Sequence, residues 1–571
     1  MNNKNTDGTK IESYKPGFTK ISFLALLYAM VIFIPAQIYL TLMTGTGGIS
    51  AAWFTLIVWI ELSKLSGRYI SKQEAFLIMV LTGAEISFPL GKIYAAWYRC
   101  SSQAALFNIT PYIPDWYAPP PEVRILDLRT FIHPSWIAPI SISLLSTVFY
   151  GLVSWALALF ARELYIEVER LPFPIQDISA TAITTITSKE ERPLQILSIF
   201  AVIGLIWGFI LYTAPFLVQA YTGRYVQFIP LPWIDLTPYV ENVLPGAFFG
   251  IATNVGPYLS SIVLGLPVVI AIFIGSFISY FIMSSLTVLF KVVDTDPLKP
   301  GVQSWWYPGL TIQLGWSRYL LYFYAMFLIG FGLAAGLAPL LFRPRILLDA
   351  FKSFFKQRRE ERLTDPIPMK YVLLFLVIGY AGSILLFCYL VPDFVLWAPW
   401  YLPLMVIMPF VSTIVTSRMV GETGLGSFPV GTVRNFLYIF SGYPNVDIWF
   451  APSPFGWEGT GKLRWLRLAQ LTRTSVKSVL KAYWLLLPLS TLIGYVYMQI
   501  FWSLAPIPSN RYPGVAMYWP IDATMQSLWI RGVQTGIFRL DYILYAFLIG
   551  TGLTFAFRFM NLPISFVHLA A

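Results

Sequence analysis

Charge is scarce in this chain: only 12% of its 571 residues are Asp, Glu, Lys or Arg, against 57% hydrophobic ones. That excludes a soluble globular protein, which carries roughly twice that share of charge, and a mean hydropathy of +0.66 points to a bilayer. Cysteine occurs only at Cys100 and Cys388, so neither a disulfide framework nor a thiolate metal site is available. Histidine occurs only at His133 and His568, which removes a histidine metal centre; no metal and no cofactor are expected. A Gly-x-x-x-x-Gly-Lys-Ser/Thr loop is missing, so the chain does not itself drive transport with ATP. The net charge of +11 is not a nucleic-acid signal, because the Lys and Arg residues fall in short connections between apolar runs.

Long apolar runs are what the chain has instead. A hydrocarbon core about 30 Å thick needs roughly 20 apolar residues per helix. Runs of that kind lie near 20–43, 49–63, 74–98, 134–161, 194–220, 319–342, 371–392, 394–417, 478–502 and 540–560. The run 258–290, too long for one span and marked by Gly265, Pro267 and Gly275, reads as two short ones. The expected fold is therefore all-α, a polytopic integral membrane protein of about 12 transmembrane helices.

Basic residues give the orientation. Lys4, Lys10, Lys15 and Lys20 place a tail, 1–19, in the cytoplasm, with no cleavable signal, and alternating crossings put Lys64, Arg68 and Lys72 on the same side. A basic linker, 343–370, and the group Lys462, Arg464, Arg467, Arg473 and Lys477 fall there too. The segment 99–133 lies outside, and Tyr112, Trp116, Tyr117 and Pro119-Pro120-Pro121 mark it as a small ordered cap. The cell (plasma) membrane is the expected location.

Four further segments are apolar yet short and Gly/Pro-marked: about 171–187 and 421–441 on the inner side, 243–257 and 513–531 on the outer side. Such re-entrant or broken helices line substrate paths, because non-helical backbone survives in a membrane only where protein or a wet cavity satisfies it. Their order repeats, which divides the chain into the first three spans with the outer loop (20–133), a first repeat half (134–342) and a second (371–571). Same-sense halves form a parallel internal repeat, with the substrate site between them near the midplane.

Several motifs sit in these segments. Leu171-Pro172-Phe173-Pro174 with Ala180 and Ala182, Leu244-Pro245-Gly246-Ala247 with Phe249-Gly250-Ile251, and Arg418 with Gly421-Glu422-Thr423-Gly424 ahead of Phe428-Pro429 resemble the oligopeptide transporter (OPT) family, which includes the metal–chelate transporters related to yellow-stripe proteins. The approach from Glu61-Leu62-Ser63 to Ser71-Lys72-Gln73-Glu74 is similar to that family's early helices. The resemblance implies proton-coupled movement of small peptides or related amide compounds, with the broken segments on the substrate path. Two departures stand out. Ile175-Gln176-Asp177 follows the first Phe-Pro where the family has very small residues, and the second half stops after Leu562-Pro563-Ile564-Ser565, one span short of the first.

Ionisable residues inside the spans are the candidate path and coupling groups. Glu85, mid-span in Gly83-Ala84-Glu85-Ile86, is the first choice for carrying a proton, with Lys92 two helical turns along the same face; a structural carboxyl is the other reading. Glu422 is either a substrate or proton group or the partner of Arg418 or Arg434. Asp177 is its counterpart, near Arg162 and Arg170. Asn254 and Asp522 on the outer segments either bind an amine or amide or cap half-helices. Arg531 reads as an interfacial anchor. Partners are thus a small peptide or metal-chelate substrate, protons and lipid. Two other classes remain: a polytopic glycosyltransferase-like enzyme, disfavoured because the first outer loop Thr44 to Gly48 carries no charge and Asp294-Thr295-Asp296 reads as a turn, and a channel or structural subunit.

Overall fold

The computed structural model describes residues 13–45, 51–65, 67–82, 89–188, 191–223, 226, 228–230, 233–253, 256–292, 305–341, 365, 367–531 and 540–560. The fold is helical almost throughout, as a polytopic membrane protein requires. Seven helices among the described residues are long and apolar enough to cross a bilayer, and Ser198–Leu211 and Asp541–Phe557 are shorter apolar helices.

In chain order, α1 is Lys20–Thr44, started by a Thr19/Ser22 capping box, and α2 is Ala51–Leu65. The run 74–98 is two helices, α3 (Lys72–Thr82) and α4 (Leu90–Arg99). Pro89 is the N-cap of α4, and Glu85, with the rest of 83–88, lies outside the described residues, so its relation to Lys92 does too. After α5 (Ile137–Arg162), a wider π turn over Glu163–Val168 leads to α6 (Pro174–Thr187) and then α7 (Glu191–Gly208).

The long run near 258–290 divides unevenly. An eight-residue helix, Gly256–Val263, precedes α8, which runs unbroken over Leu266–Leu289. Gly265 makes the break, with Pro267 in the first turn of α8 where its missing N–H costs nothing. The pair of short spans expected there is therefore one turn-rich piece and one full span. Next come α9 (Ala325–Leu341), α10 (Met369–Leu390) and α11 (Tyr401–Thr423). The last starts seven residues later than the sequence reading and runs six further, so Gly421, Glu422 and Thr423 form its final turn. Then follow α12 (Val430–Phe440), α13 (Thr460–Leu471), α14 (Val476–Leu504), α15 (Pro513–Arg531) and α16 (Leu540–Phe559).

The described parts of the segments assigned to one side meet at one pole. Lys15 exchanges backbone hydrogen bonds with Arg473 and Ser475, Gln73 reaches the Thr472 carbonyl at 3.1 Å, and Thr19 donates to Glu74 at 2.6 Å. Asp365 of the basic linker accepts from Ser475 and Val476 at the start of α14, and its carbonyl takes Arg162. The opposite pole carries the ordered cap: Arg99 pairs with Asp115 at 2.8 Å and donates to the Ala118 carbonyl, and the Tyr117 ring packs tilted against Phe450 with centroids 4.7 Å apart.

The two outer segments differ in form from expectation. Among the described residues of 243–257 there is a turn and a short strand, with the helix Gly256–Val263 starting only at the end; Gly250–Ala252 pairs antiparallel with Trp233–Asp235, and Asp235 accepts from the backbone of Thr237 and Ile312. The stretch 513–531 is one continuous helix containing Pro520. Both its ends are tied to the cap pole: Tyr512 bonds the Phe501 carbonyl at the end of α14, and Arg531 donates to the carbonyls of Phe107 and Asn108. So α15 lies along that pole, and Arg531 anchors it to the cap.

Helices pack through small residues, as they must where lipid offers no hydrophobic drive between them. Gly379 and Gly382 of α10 lie against Leu152, Val153 and Phe149 of α5, and Gly330 of α9 touches Ile543 and Ala546 of α16. Conversely α8 keeps most of its surface outward, as in Phe273 at 67% exposure, which suits lipid contact. A Cβ at Gly379 meets Val153 at 2.7 Å. Gly379→Leu is therefore expected to cost about 1–3 kcal/mol through overpacking, read as a lower unfolding temperature of the purified protein in detergent. Gly204→Leu, where an added Cβ meets nothing within 4 Å, is expected to leave that temperature unchanged.

Candidate functional site

The two inner motifs, far apart in sequence, meet end to end. Helix α11 stops because Gly424 takes a left-handed conformation, φ +77°, and returns its N–H to the Val420 carbonyl. Thr423, fully buried, donates to the Met419 carbonyl and accepts from the Leu425 N–H at 3.1 Å, turning the chain. That leaves the Gly421 carbonyl among the last four of the helix without an intrahelical donor. Its donor is Phe173, the N-cap of α6, at 2.9 Å. One orphan carbonyl and one orphan N–H thus satisfy each other, and the negative end of α11 faces the positive end of α6.

Glycine spacing makes the contact possible. A Cβ at Gly421 meets Leu171 at 2.7 Å and the Phe173 ring at 3.2 Å, while one at Gly424 meets Ile175 at 2.8 Å and Pro174 at 3.2 Å. The departure from small residues at Ile175 therefore has a role, since Ile175 fills the space that Gly424 leaves. Phe173 itself adopts φ +50°, a strained choice for a bulky residue, while its ring is fully buried. Pro172 presents its carbonyl to Arg467 at 3.4 Å, and Pro174 opens α6 at the position where proline is tolerated.

The second Phe-Pro works alike. Phe428, buried, donates its N–H to the Thr416 hydroxyl at 3.2 Å, and Pro429 precedes the first turn of α12. Each crossing thus has a helix, a short non-helical link, and a Phe-Pro pair that starts a new helix. Phe428 and Pro429 rest on Gly332 of α9.

Charge gathers at the same place. The Arg418 guanidinium lies 2.9 Å from Glu422 and 3.2 Å from Glu169, all three at least four-fifths buried. The Glu422 approach is a charge contact without hydrogen-bond alignment, whereas Glu169 accepts a hydrogen bond through both oxygens. Arg418 and Glu422 stand on α11 and Glu169 follows the π turn after α5, so the ion cluster spans the seam between these two segments. Glu422 takes Arg418 and not Arg434, which bonds Asn435 and overlies Tyr438. Asp177 pairs with Arg467 at 3.4 Å, not with Arg162 or Arg170. Beside the cluster, Tyr165 reaches the Ile414 carbonyl at 2.8 Å, holding the end of α5 to the middle of α11.

Other sequence candidates fall elsewhere. Glu85 and Asn254 lie outside the described residues. Asp522 is at the cap pole, facing a cleft beside α4. Pro245 and Gly246 form a turn whose Gly246, at φ +82°, fits against Val288 and Trp305, far in the chain's architecture from the inner crossing. The sequence reading missed Glu169, Arg467 and Lys462. No helical spacing links Glu169 to Arg418, and only the crossing of two segments joins them. Lys462 counted as an orientation signal, yet it is 3% exposed, its ammonium 4.8 Å from the ring centre of Trp465, 5.1 Å from Tyr483 and 5.4 Å from Tyr150. Three aromatic faces compensate a cation beside the middle of α5.

Compared with known families, residues 125–564 match the family described as OPT oligopeptide transporter protein. No individually curated protein matches the chain.

Removing one partner of a desolvated ion cluster costs more than removing all of them. Arg418→Met alone is expected to destabilise the protein by about 3 kcal/mol, and adding Glu169→Gln and Glu422→Gln to it is expected to recover most of that loss, both measured by thermal unfolding in detergent. Equal melting of the single and triple variants counts against coupling across the seam.

Proposed function

The chain belongs to the OPT oligopeptide transporter family, and on that premise we propose that it is a secondary active transporter for small peptides or related amide compounds, metal chelates included, coupled to protons. It is a multi-span membrane protein. In this reading it sits in the plasma membrane with its basic pole, N-terminus included, in the cytoplasm.

The observation that carries the proposal is the junction of Phe173 and Gly421 with Arg418 held between Glu169 and Glu422. The halves 134–342 and 371–571 are taken as the two repeat halves, and the paired Phe-Pro crossings support that division. In this reading, parting the Phe173–Gly421 junction frees helix ends for the substrate, a positive one for a carboxylate and a negative one for an amine. A peptide zwitterion carries both groups.

Coupling follows from competition for one guanidinium. Ionised Glu422 shares Arg418 with Glu169; a proton on Glu422 releases Arg418 to Glu169 alone and tightens the contact between halves. A proton thereby changes the relative energy of two arrangements, as a coupled transporter needs. Glu85, an ionisable residue within a span of the sequence, is the second proposed proton carrier.

The test is uptake of a labelled tripeptide into proteoliposomes with and without an inward proton gradient. Accumulation that collapses with the gradient is expected, and Glu422→Gln is expected to abolish accumulation while leaving counterflow exchange. Glu85→Gln tests the second carrier in the same way. Uptake of no peptide under any gradient overturns the reading, while uptake indifferent to protons removes the coupling alone.

A further inference from the structure

A cleft of about 450 Å³ opens at the cap pole, between the first turns of α4, at Gly91 and Tyr94, and one face of α15, at Trp519, Asp522, Met525 and Gln526. Positions 519, 522 and 526 are three and four apart, so they share one helical face. Leu90 completes the wall, and Asp522 is the one charged residue on it. Nothing in the inner crossing uses this cleft.

Its walls are rigid. Tyr94 donates to the Gln526 side chain at 3.0 Å, and Tyr98 bonds Ser527 at 2.9 Å, clamping α4 to α15 along successive turns. The Trp519 ring meets Tyr94 edge-on at 5.3 Å and Trp97 at 5.4 Å, and Trp519 is itself buried. Lys92, the basic residue of the same turn, is directed over the Tyr117 ring at 5.9 Å and does not line the cleft. Among the described residues no lysine or arginine forms an ion pair with Asp522.

We propose that this cleft binds the free ammonium terminus of the peptide at Asp522, with the Trp519 and Tyr94 rings beside it. The chemistry selects that group. One carboxylate flanked by aromatic rings satisfies an organic ammonium through charge and ring faces together, whereas a divalent metal demands several oxygen ligands. The volume suits one or two residues and not a folded partner. Gln526, held by the Tyr94 hydroxyl, forms the wall beside the ammonium. Asp522 thereby selects substrates with an unblocked amino end.

This inference rests on the peptide-transport reading, and the experiment separates the two. Equilibrium binding of trialanine and of N-acetyl-trialanine to the purified full-length protein is followed by its tryptophan fluorescence. Acetylation is expected to weaken binding about tenfold or more, the scale of one lost charged hydrogen bond. Asp522→Asn is expected to bind both peptides equally weakly, and Asp522→Glu to keep part of the preference. Gly91→Phe tests the space independently: a Cβ there meets nothing within 4 Å, so the variant folds and fills the cleft, and it is expected to lose binding of trialanine. Equal binding of the two peptides by the unaltered protein, or a preference that survives in Asp522→Asn, overturns the ammonium site while leaving peptide transport standing. Binding of neither peptide overturns both.

Discussion

A backbone amide released inside a membrane protein finds no water, so every interrupted helix must be completed by another part of the chain. Here the completion is mutual. The last turn of α11 ends with an unclaimed carbonyl at Gly421, the first turn of α6 begins with an unclaimed N–H at Phe173, and the two meet at 2.9 Å. Gly421 and Gly424 are bare because Leu171, Phe173, Pro174 and Ile175 occupy the space where side chains would be. The strained backbone of Phe173 and the left-handed turn at Gly424 are both held by this one contact.

The same constraint explains where charge is tolerated. Arg418, Glu169 and Glu422 neutralise each other at the crossing, and Arg467 joins Asp177 to the Pro172 carbonyl. Lys462 is accommodated by three aromatic rings. Each is an intramembrane or near-membrane ion with its compensation named, and most lie where segments far apart in sequence touch. The cap pole has another character: short turns, stacked rings and α15 laid along the surface frame an open cleft with one carboxylate.

Helix content, membrane location and the grouping of basic segments were legible in the sequence because they depend on composition and on apolar run length alone. The aromatic cap was legible for the same reason, since rings such as Tyr117 and Trp116 mark ordered interfacial structure. The Gly421-Glu422-Thr423-Gly424 and Phe-Pro motifs were legible as breaks, because glycine and proline act on their own local backbone. Three features were not. The form of the outer segments was hidden, since Pro520 signals a break that a continuous helix absorbs. The uneven division at Gly265 was hidden among uniformly apolar neighbours. The pairing of Glu422 with Arg418 was legible as a helical neighbour, but Glu169 beside Arg418, Arg467 beside Asp177 and the aromatic rings around Lys462 were hidden, because nothing near them in sequence points to those partners.

By itself the sequence determined that this is a polytopic helical protein with interrupted segments, because hydrophobic length and Gly/Pro placement act locally. Only the tertiary structure decided which interruptions meet, that Glu169 joins the helix neighbour Glu422 around Arg418, and that Asp522 faces a cleft. Those outcomes depend on which surfaces pack together over hundreds of residues, and a pairing of orphan backbone groups leaves no periodic signature in the chain that makes it.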